Sequence, residues 1–496
     1  MKRSPDIDKL LQSSETSSKA DEKWSDIHRR TFLRRGGIGL GGTALALLLG
    51  HTAQGNGGGR ASDDRLSAAS TGLHFPAKAK RIIHLCMAGG PSQFESFDYK
   101  PELATLHGES FPASYTDGQQ LAQLQNTPLK AMGPQFEFSK HGECGAEVSE
   151  LFPYCAGIVD DLCIVRSLHT EQINHDPAHA FFNSGSIIKG RPSMGSWLLY
   201  GLGSETENLP GFVVLTSTSK CGGAQPISAR QWSAGFLPSR YQGVEFQSTG
   251  DLVHYVGNPP GVCQSAQRQV IEEINRLNAM SRNAEFDGEL ATRIAQYEMA
   301  ARMQTSVPTL SDFTDESQET LDLYGVNQPG DGSFASNCLM ARRLAQRGVR
   351  MIQIYHRAWD HHDQIKANMT IAARDVDRAS AALVQDLKRL GMLEDTLVVW
   401  CGEFGRTPMG QGSGRDHHIL SFSGWIAGGG IRPGITFGAT DDLGYRAVID
   451  PVSVHDLHAT LLHLFGVDHL RLTFRYQGRD FRLTDVFGEV VQGLVG

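Results

Sequence analysis

A chain of 496 residues with 54 acidic against 46 basic side chains, a formal net charge of -8, lacks the clustered Lys and Arg that phosphate-backbone recognition needs, which excludes a nucleic-acid binder. With 40% hydrophobic and 20% charged residues, the composition is that of a globular protein with a sizeable core and excludes wholesale disorder. The eight cysteines are scattered without a CxxC pair, so a thiolate zinc or dithiol redox centre is excluded as well.

Residues 1–60 read as an export signal and linker. His28-Arg29-Arg30-Thr31-Phe32-Leu33-Arg34-Arg35 is followed by a mild apolar run, 36–50, rich in Gly, Ala and Leu. A twin-arginine pair ahead of a weakly hydrophobic segment is the address read by the Tat export machinery, which carries folded proteins to the periplasm or beyond. The run is too short and too rich in glycine for a spanning helix, so no stable transmembrane segment is expected after cleavage in 51–61. An oxidising compartment permits disulfides, and Cys144, Cys155 and Cys163 are close enough in sequence to pair. Cys86 and Cys401 lie in apolar runs and read as buried thiols.

The first strand is predicted over 81–87, a continuous apolar run ending at Gly89-Gly90-Pro91, the pattern of a buried parallel strand. A second is predicted over 160–166. It leads to a histidine-rich segment in which Asn174 or Asp176 caps a helix near His175, with Pro177 in the first turn. Residues 211–215 form a third strand. Residues 219–260 read as a long surface excursion, 270–304 as two helices and 334–347 as a helix closed by Gly348. After that come strands at 349–355, 396–401 and 422–427, with helices at 372–390 and 452–465. Such alternation predicts an α/β fold with a parallel sheet covered on both faces. The chain is thus expected to form one domain over 75–490, with an insertion at about 219–330.

In such sheets ligands bind beyond the carboxyl ends of the strands. Four clusters of ionisable residues follow strands: Glu95 and Asp98; His175, Asp176 and His179; Asp360, His361, His362 and Asp363; and Glu403 with Asp416, His417 and His418. Mixed imidazole and carboxylate ligands suit Zn or Mn, and carboxylate-rich ones Mg or Ca. One or two divalent ions held there could clamp a phosphoryl or sulfuryl group. His455 and His458 sit in an apolar helix and read as packing or capping residues. Phe97, Phe181 and Phe182 read as core, and the arginines of 471–482 as surface.

Gly89-Gly90-Pro91-Ser92, Asn174-His175-Asp176-Pro177, Trp359-Asp360-His361-His362, Glu403-Phe404-Gly405-Arg406-Thr407-Pro408, Gly414-Arg415-Asp416-His417 and Gly478-Arg479-Asp480-Phe481 together resemble the exported bacterial family known as domain of unknown function 1501. That family in turn resembles a divergent branch of the alkaline phosphatase and sulfatase superfamily. Residues 452–462 are similar to the sulfatase helix V-D-L-x-P-T-L-L, 396–405 to the strand that ends in the Asp-His-Gly metal motif, and 175–185 to the sulfatase signature. Three departures stand out. His175 occupies the nucleophile position, Phe404 replaces a metal-binding His, and Met87-Ala88 stand where an Asp ligand is expected. The resemblance implies an alkaline-phosphatase-like sandwich with a mostly parallel sheet. It also implies an exported, metal-dependent hydrolase of small-molecule or glycan phosphate or sulfate esters. Asp360, His362, Glu403, Asp416 and His417 would hold the metal, His175 would be nucleophile or ligand, and Arg415 or Arg406 would steady the anion. The alternative is a non-catalytic binding protein of the same fold that captures a carbohydrate or sulfated glycan.

Overall fold

The computed structural model describes residues 73–253 and 308–496, except 120, 126, 221 and 222, and scattered positions between 263 and 307. The expected export signal and most of the helix pair expected in 270–304 lie outside the described residues. Residues 59–252 and 308–496 form one compact unit, and residues 1–58 and 253–307 group as a second. No helix among the described residues is long and apolar enough to cross a membrane.

The sheet is built from β1 (Arg81–Met87), β2 (Leu162–His169), β3 (Phe212–Ser217), β4 (Val244–Phe246), β5 (Met351–His356) and β6 (Thr396–Cys401). A buried hairpin follows, β7 (Gly405–Gln411) with β8 (Gly414–His418), and then β9 (Phe422–Ala427), β10 (Ile435–Phe437) and β11 (Val452–Ser453). The strand order is β10-β2-β9-β6-β1-β5-β3-β4, with β11 beside β2. All pairings run parallel except those of β9, which is antiparallel to both β6 and β2. Two strands antiparallel to the same neighbour share a direction, so β1, β2, β5 and β6 all end at one edge of the sheet.

These strands form because they are apolar throughout. β1, β5, β6 and β9 are buried along essentially their whole length, as expected of strands covered on both faces. One face packs on the helices α1 (His175–Ser184), α2 (Met194–Leu202) and α5 (Val454–Leu464), with Phe181, Phe182, Trp197 and Leu461 against Ile82, Val399 and Tyr355. The other carries α3 (Phe334–Gln346) and α4 (Ile365–Arg389), α3 lying on β5 and β3 and α4 on α3. On that face Trp400 meets Phe97 edge-on at 5.4 Å and stacks on its cross-strand neighbour Trp425 at 6.4 Å.

Several expectations need adjustment. The stretch 219–260 is not only a surface excursion, because Val244–Phe246 joins the sheet as an edge strand and Trp232 and Leu237 are buried in the core. Helix α4 starts two turns before residue 372: the amide of Ile365 is held by the Ser413 carbonyl of the β7–β8 turn, a tertiary contact that outweighs the polar character of the first turns. Residues 405–418 form a β-hairpin where only a loop was expected. Cys144 is exposed, Cys155 and Cys163 are buried, and none of the three is in a disulfide.

Trp400 is 1% exposed, and its truncation leaves a large cavity in the centre of the sheet. Trp400→Ala should cost about 3–5 kcal/mol, read from the urea unfolding midpoint. Val486→Ala, at an exposed site, should stay within about 0.5 kcal/mol. Equal effects would rule out this core.

Candidate metal centre

Each strand end contributes one piece. After β1 the chain turns at Gly89 with φ +121°, where a Cβ would lie 2.5 Å from the Asp360 amide nitrogen, so only glycine lets the loops after β1 and β5 come together. The freed Gly89 amide donates to both carboxylate oxygens of Glu403, at 3.0 and 3.1 Å, and Glu403 itself follows β6. After β5, Ala358 sits in the left-handed region at φ 75°, a conformation that costs a non-glycine residue about 1 kcal/mol or more. Trp359 is then buried, donating to His356 Nδ1 at 2.9 Å, and Asp360 is partly exposed at the site. After β2, α1 opens on His175 and brings His179 onto the same face one turn later. The β7–β8 hairpin supplies His417.

The side chains converge tightly. His175 lies with Nδ1 2.7 Å from Glu403 Oε1 and Nε2 3.1 Å from Asp360 Oδ2, bridging the two carboxylates. His179 Nε2 is 3.4 Å from the same Glu403 oxygen. Asp360 Oδ1 is met by Arg406 Nη2 at 2.7 Å, His362 Nε2 at 2.9 Å and His417 Nε2 at 3.2 Å. His417 Nδ1 is fixed by the Ile173 carbonyl at 2.7 Å, which leaves Nε2 facing the site. Two triplets, His175-His179-Glu403 and His175-Asp360-His417, place one potential ligand atom from each member within 4.8 Å of the others. The Phe404 ring lies against His175 and His417, at 4.9 and 4.6 Å between centroids.

Whether this set suits a metal is best judged at His179. It is fully buried, and neither ring nitrogen has a hydrogen-bond partner. A neutral imidazole carries one N–H and one lone pair, and leaving both unmatched in the interior costs free energy that native structures avoid. A cation accepting the lone pair beside Glu403 resolves that cost. The protonation pattern points the same way. Burial pushes His175 down, but the hydrogen bonds and charges of Asp360 and Glu403 outweigh it and raise its pKa to about 9. Burial likewise pushes Glu403 up, yet His179 and His175 hold it down at about 2. His179 and His417 are lowered mainly by burial. The buried Glu403 and the partly exposed Asp360 beside it favour a positive charge between them, which protonated His175 or a divalent ion in its place would supply.

The structure brings His175, Asp360, His362, Glu403 and His417 together, with His362 at the more exposed rim. It directs the other expected residues elsewhere. Arg415 is fully buried and spends its donors on Glu95 Oε1 at 2.7 Å and on the carbonyls of Met132, Gly133 and Thr407. Asp416 Oδ2 accepts from the amides of Gln123 and Leu124 and so pins a loop. Arg406 is 1% exposed and ties Asp360 to the Gly90 and Arg415 carbonyls. Glu95 is thereby diverted to Arg415, while Asp98 binds Thr440 and Lys100. Asp176 pairs with Arg230, His361 bonds the Ala358 carbonyl and His418 the Tyr445 carbonyl. His455 and His458 donate from Nε2 to the Gly185 and Phe182 carbonyls, the packing role expected. Two contributors were not assigned from sequence: His179, which the sequence places in a candidate cluster with His175 but not in the ligand set, and the Gly89 amide.

Because Arg415 and Glu95 form a fully buried pair, breaking it strands a charge. Arg415→Met should destabilise the fold by about 3–5 kcal/mol, and Arg415→Met with Glu95→Gln should restore part of that, measured by chemical denaturation. A stable Arg415→Met protein would return this residue to the list of anion-binding candidates.

No curated protein sequence matches the chain. Among solved structures, the PsFucS1 sulfatase from Pseudoalteromonas sp. is similar at 12% identity, covering 78% of this chain and 68% of the other with a TM-score of 0.31. The lipoteichoic acid synthase LtaP from Listeria monocytogenes is similar at 9% identity, covering 82% and 76% with a TM-score of 0.30. The alkaline phosphatase from the Antarctic bacterium TAB5 is similar at 9% identity, covering 78% and 98% with a TM-score of 0.27. Residues 79–495 match the model of the family described as protein of unknown function DUF1501, and the chain belongs to that family.

Proposed function

We propose that this protein is a metal-dependent hydrolase of phosphate or sulfate esters. The observation that carries the reading is His179, buried with both ring nitrogens unmatched and 3.4 Å from the buried carboxylate of Glu403. His175, His179 and Glu403 would hold one divalent ion, and Asp360 and His417, sharing His175, would hold the same or a second one. Such an ion supplies Lewis-acid polarisation of an ester oxygen.

The remaining roles fall to the chain itself. The Gly89 amide and Arg406 fix the two carboxylates, so neither needs to reorganise when substrate arrives. His362, 2.9 Å from Asp360 Oδ1 and partly exposed, is placed to hand a proton to a leaving group at the rim. Arg406 and Arg415 are committed to internal partners, so neither is free to take the ester's negative charge. The Phe404 ring packed on His175 and His417 keeps that side of the centre dry.

One observation favours a second reading. The first residue of α1, where the superfamily resemblance calls for a hydroxyl or thiol nucleophile, is His175, and its Nδ1 is engaged with Glu403. A protein that binds an anionic glycan without turnover would tolerate that replacement. Twin-arginine export to the periplasm or beyond remains part of the proposal, carried by residues 28–50.

Elemental analysis of purified protein should find a divalent metal near stoichiometric amounts, and His179→Ala should weaken zinc binding by more than the roughly 100-fold that outer-shell changes cost. Metal-loaded protein should then hydrolyse an aryl phosphate or an aryl sulfate. Tight metal binding with no turnover of either ester selects the binding-protein reading. Absence of metal after loading with Zn, Mn, Mg and Ca in turn defeats both the ligand assignment and the hydrolase.

A further inference from the structure

The β7–β8 turn separates the metal centre from a second feature. Alternation along the hairpin sends Gln411 towards His362 Nδ1, while Gly410, Gly412 and Ser413 line an open pocket of about 510 Å³. The loop after β5 divides in the same way. Asp360 and His362 belong to the centre, whereas Gln364, Ile365 and Lys366 line the pocket. Two bonds clamp the loop and the turn into one wall: the Gln364 amide donates to Ser413 Oγ at 2.7 Å and the Ile365 amide to the Ser413 carbonyl at 3.1 Å. A side chain at Gly414 would lie 2.3 Å from the His361 carbonyl, so the loop and the hairpin are closely packed at that point, with the partly exposed His362 and Gln411 at the rim between the two compartments.

The pocket has a definite chemical character. Its apolar lining includes Pro128, Met132 and Ile365, and its polar side chains are those of His107, Gln135, Gln364, Ser413, Lys130 and Lys366. No carboxylate lines it among the described residues. Of the acids near it in sequence, Glu95 is paired with Arg415, Asp416 accepts from the Gln123 and Leu124 amides, and Asp363 is exposed outside the lining. Two cations without a facing carboxylate raise the local potential and draw an anion. An apolar lining with amide groups matches the amphipathic face of a sugar ring, and the volume falls within the usual range for a small-molecule site.

We propose that this pocket binds a sugar carrying an anionic ester group, with Lys130 and Lys366 taking that group while a second ester on the same molecule reaches the metal centre past His362 and Gln411. The preferred substrate is therefore a multiply esterified saccharide and not a simple monoester. Only the word substrate rests on the hydrolase reading; binding in the pocket does not. The test is accordingly made on the whole chain after metal removal with a chelator, by calorimetry. The probes are a disaccharide bearing two sulfate esters, its phosphate counterpart and the unesterified disaccharide.

One of the esterified sugars should bind at least about tenfold tighter than the neutral one, a gap of about 1.4 kcal/mol. Lys130→Gln with Lys366→Gln should remove most of that preference. Both lysines are exposed, so the variant should fold, which its circular dichroism verifies. Tighter binding of either ester supports the proposal and names the ester. Equal binding of the neutral sugar, or an anion preference that survives in the double variant, overturns it. A protein that fails to take up metal but still shows lysine-dependent binding defeats the hydrolase and leaves this site standing.

Discussion

The candidate site depends first on one buried carboxylate. Glu403 is 1% exposed, at the end of a strand in the middle of the sheet, where an unpaired ionised acid would be prohibitively costly. The Gly89 amide meets both of its oxygens, and two imidazoles on one face of α1 complete its surroundings. That requirement explains several features at once. Gly89 must be glycine to bring the β1 loop close enough, α1 must start at His175 so that His179 follows one turn later, and His175 must turn its other nitrogen outward to Asp360. A single charge thus fixes the relative positions of three loops and one helix.

A second buried charge pair, Glu95 with Arg415, does comparable work one layer away. It clamps the β7–β8 hairpin against the segment after β1, and Arg415 also bonds the carbonyls of Met132 and Gly133. The hairpin carries His417 into the metal centre on one face and forms the wall of the lysine-lined pocket on the other. The arginine contributes to the site by holding this hairpin, without touching anything bound there. Its neighbour Asp416 acts alike, through the amides of Gln123 and Leu124.

Much of this was legible in the chain. Strands over 81–87, 349–355 and 396–401 stand out because fully buried parallel strands are continuous apolar runs, and the carboxyl ends of the last two lead to Asp360 and Glu403. What could not be read was the direction of each charged side chain. Adjacent residues Arg415, Asp416, His417 and His418 look equivalent as sequence, yet only His417 reaches the site. A bulge between Arg415 and His417 and the partners that each side chain finds far away in the chain decide the matter. Likewise Glu95 and Asp98 follow a strand as Glu403 does, but Glu95 meets Arg415, far away in the chain, and Asp98 meets Thr440 and the nearby Lys100. Val244–Phe246 was hidden because an edge strand of three residues carries almost no periodicity, and the early start of α4 because its first turn is held by Ser413.

The central position of β1 also bears on how the molecule is made. This strand, close to the start of the described chain, has β5 on one side and β6 on the other, and its His84 contacts Gln353, 269 residues away, and Cys401, 317 residues away. A growing polypeptide therefore presents β1 with both edges open until β5 ends at residue 356 of 496, and with one edge open until β6 ends at residue 401, a topology that slows folding and exposes apolar strands to aggregation. The ligands obey the same schedule, since Glu403 and His417 come after β6 has been added. Neither the complete central sheet nor the candidate centre can form before Glu403 and His417 have been added, so completion of the fold and assembly of the His175, Asp360, Glu403 and His417 cluster arrive together, late in the life of the nascent chain.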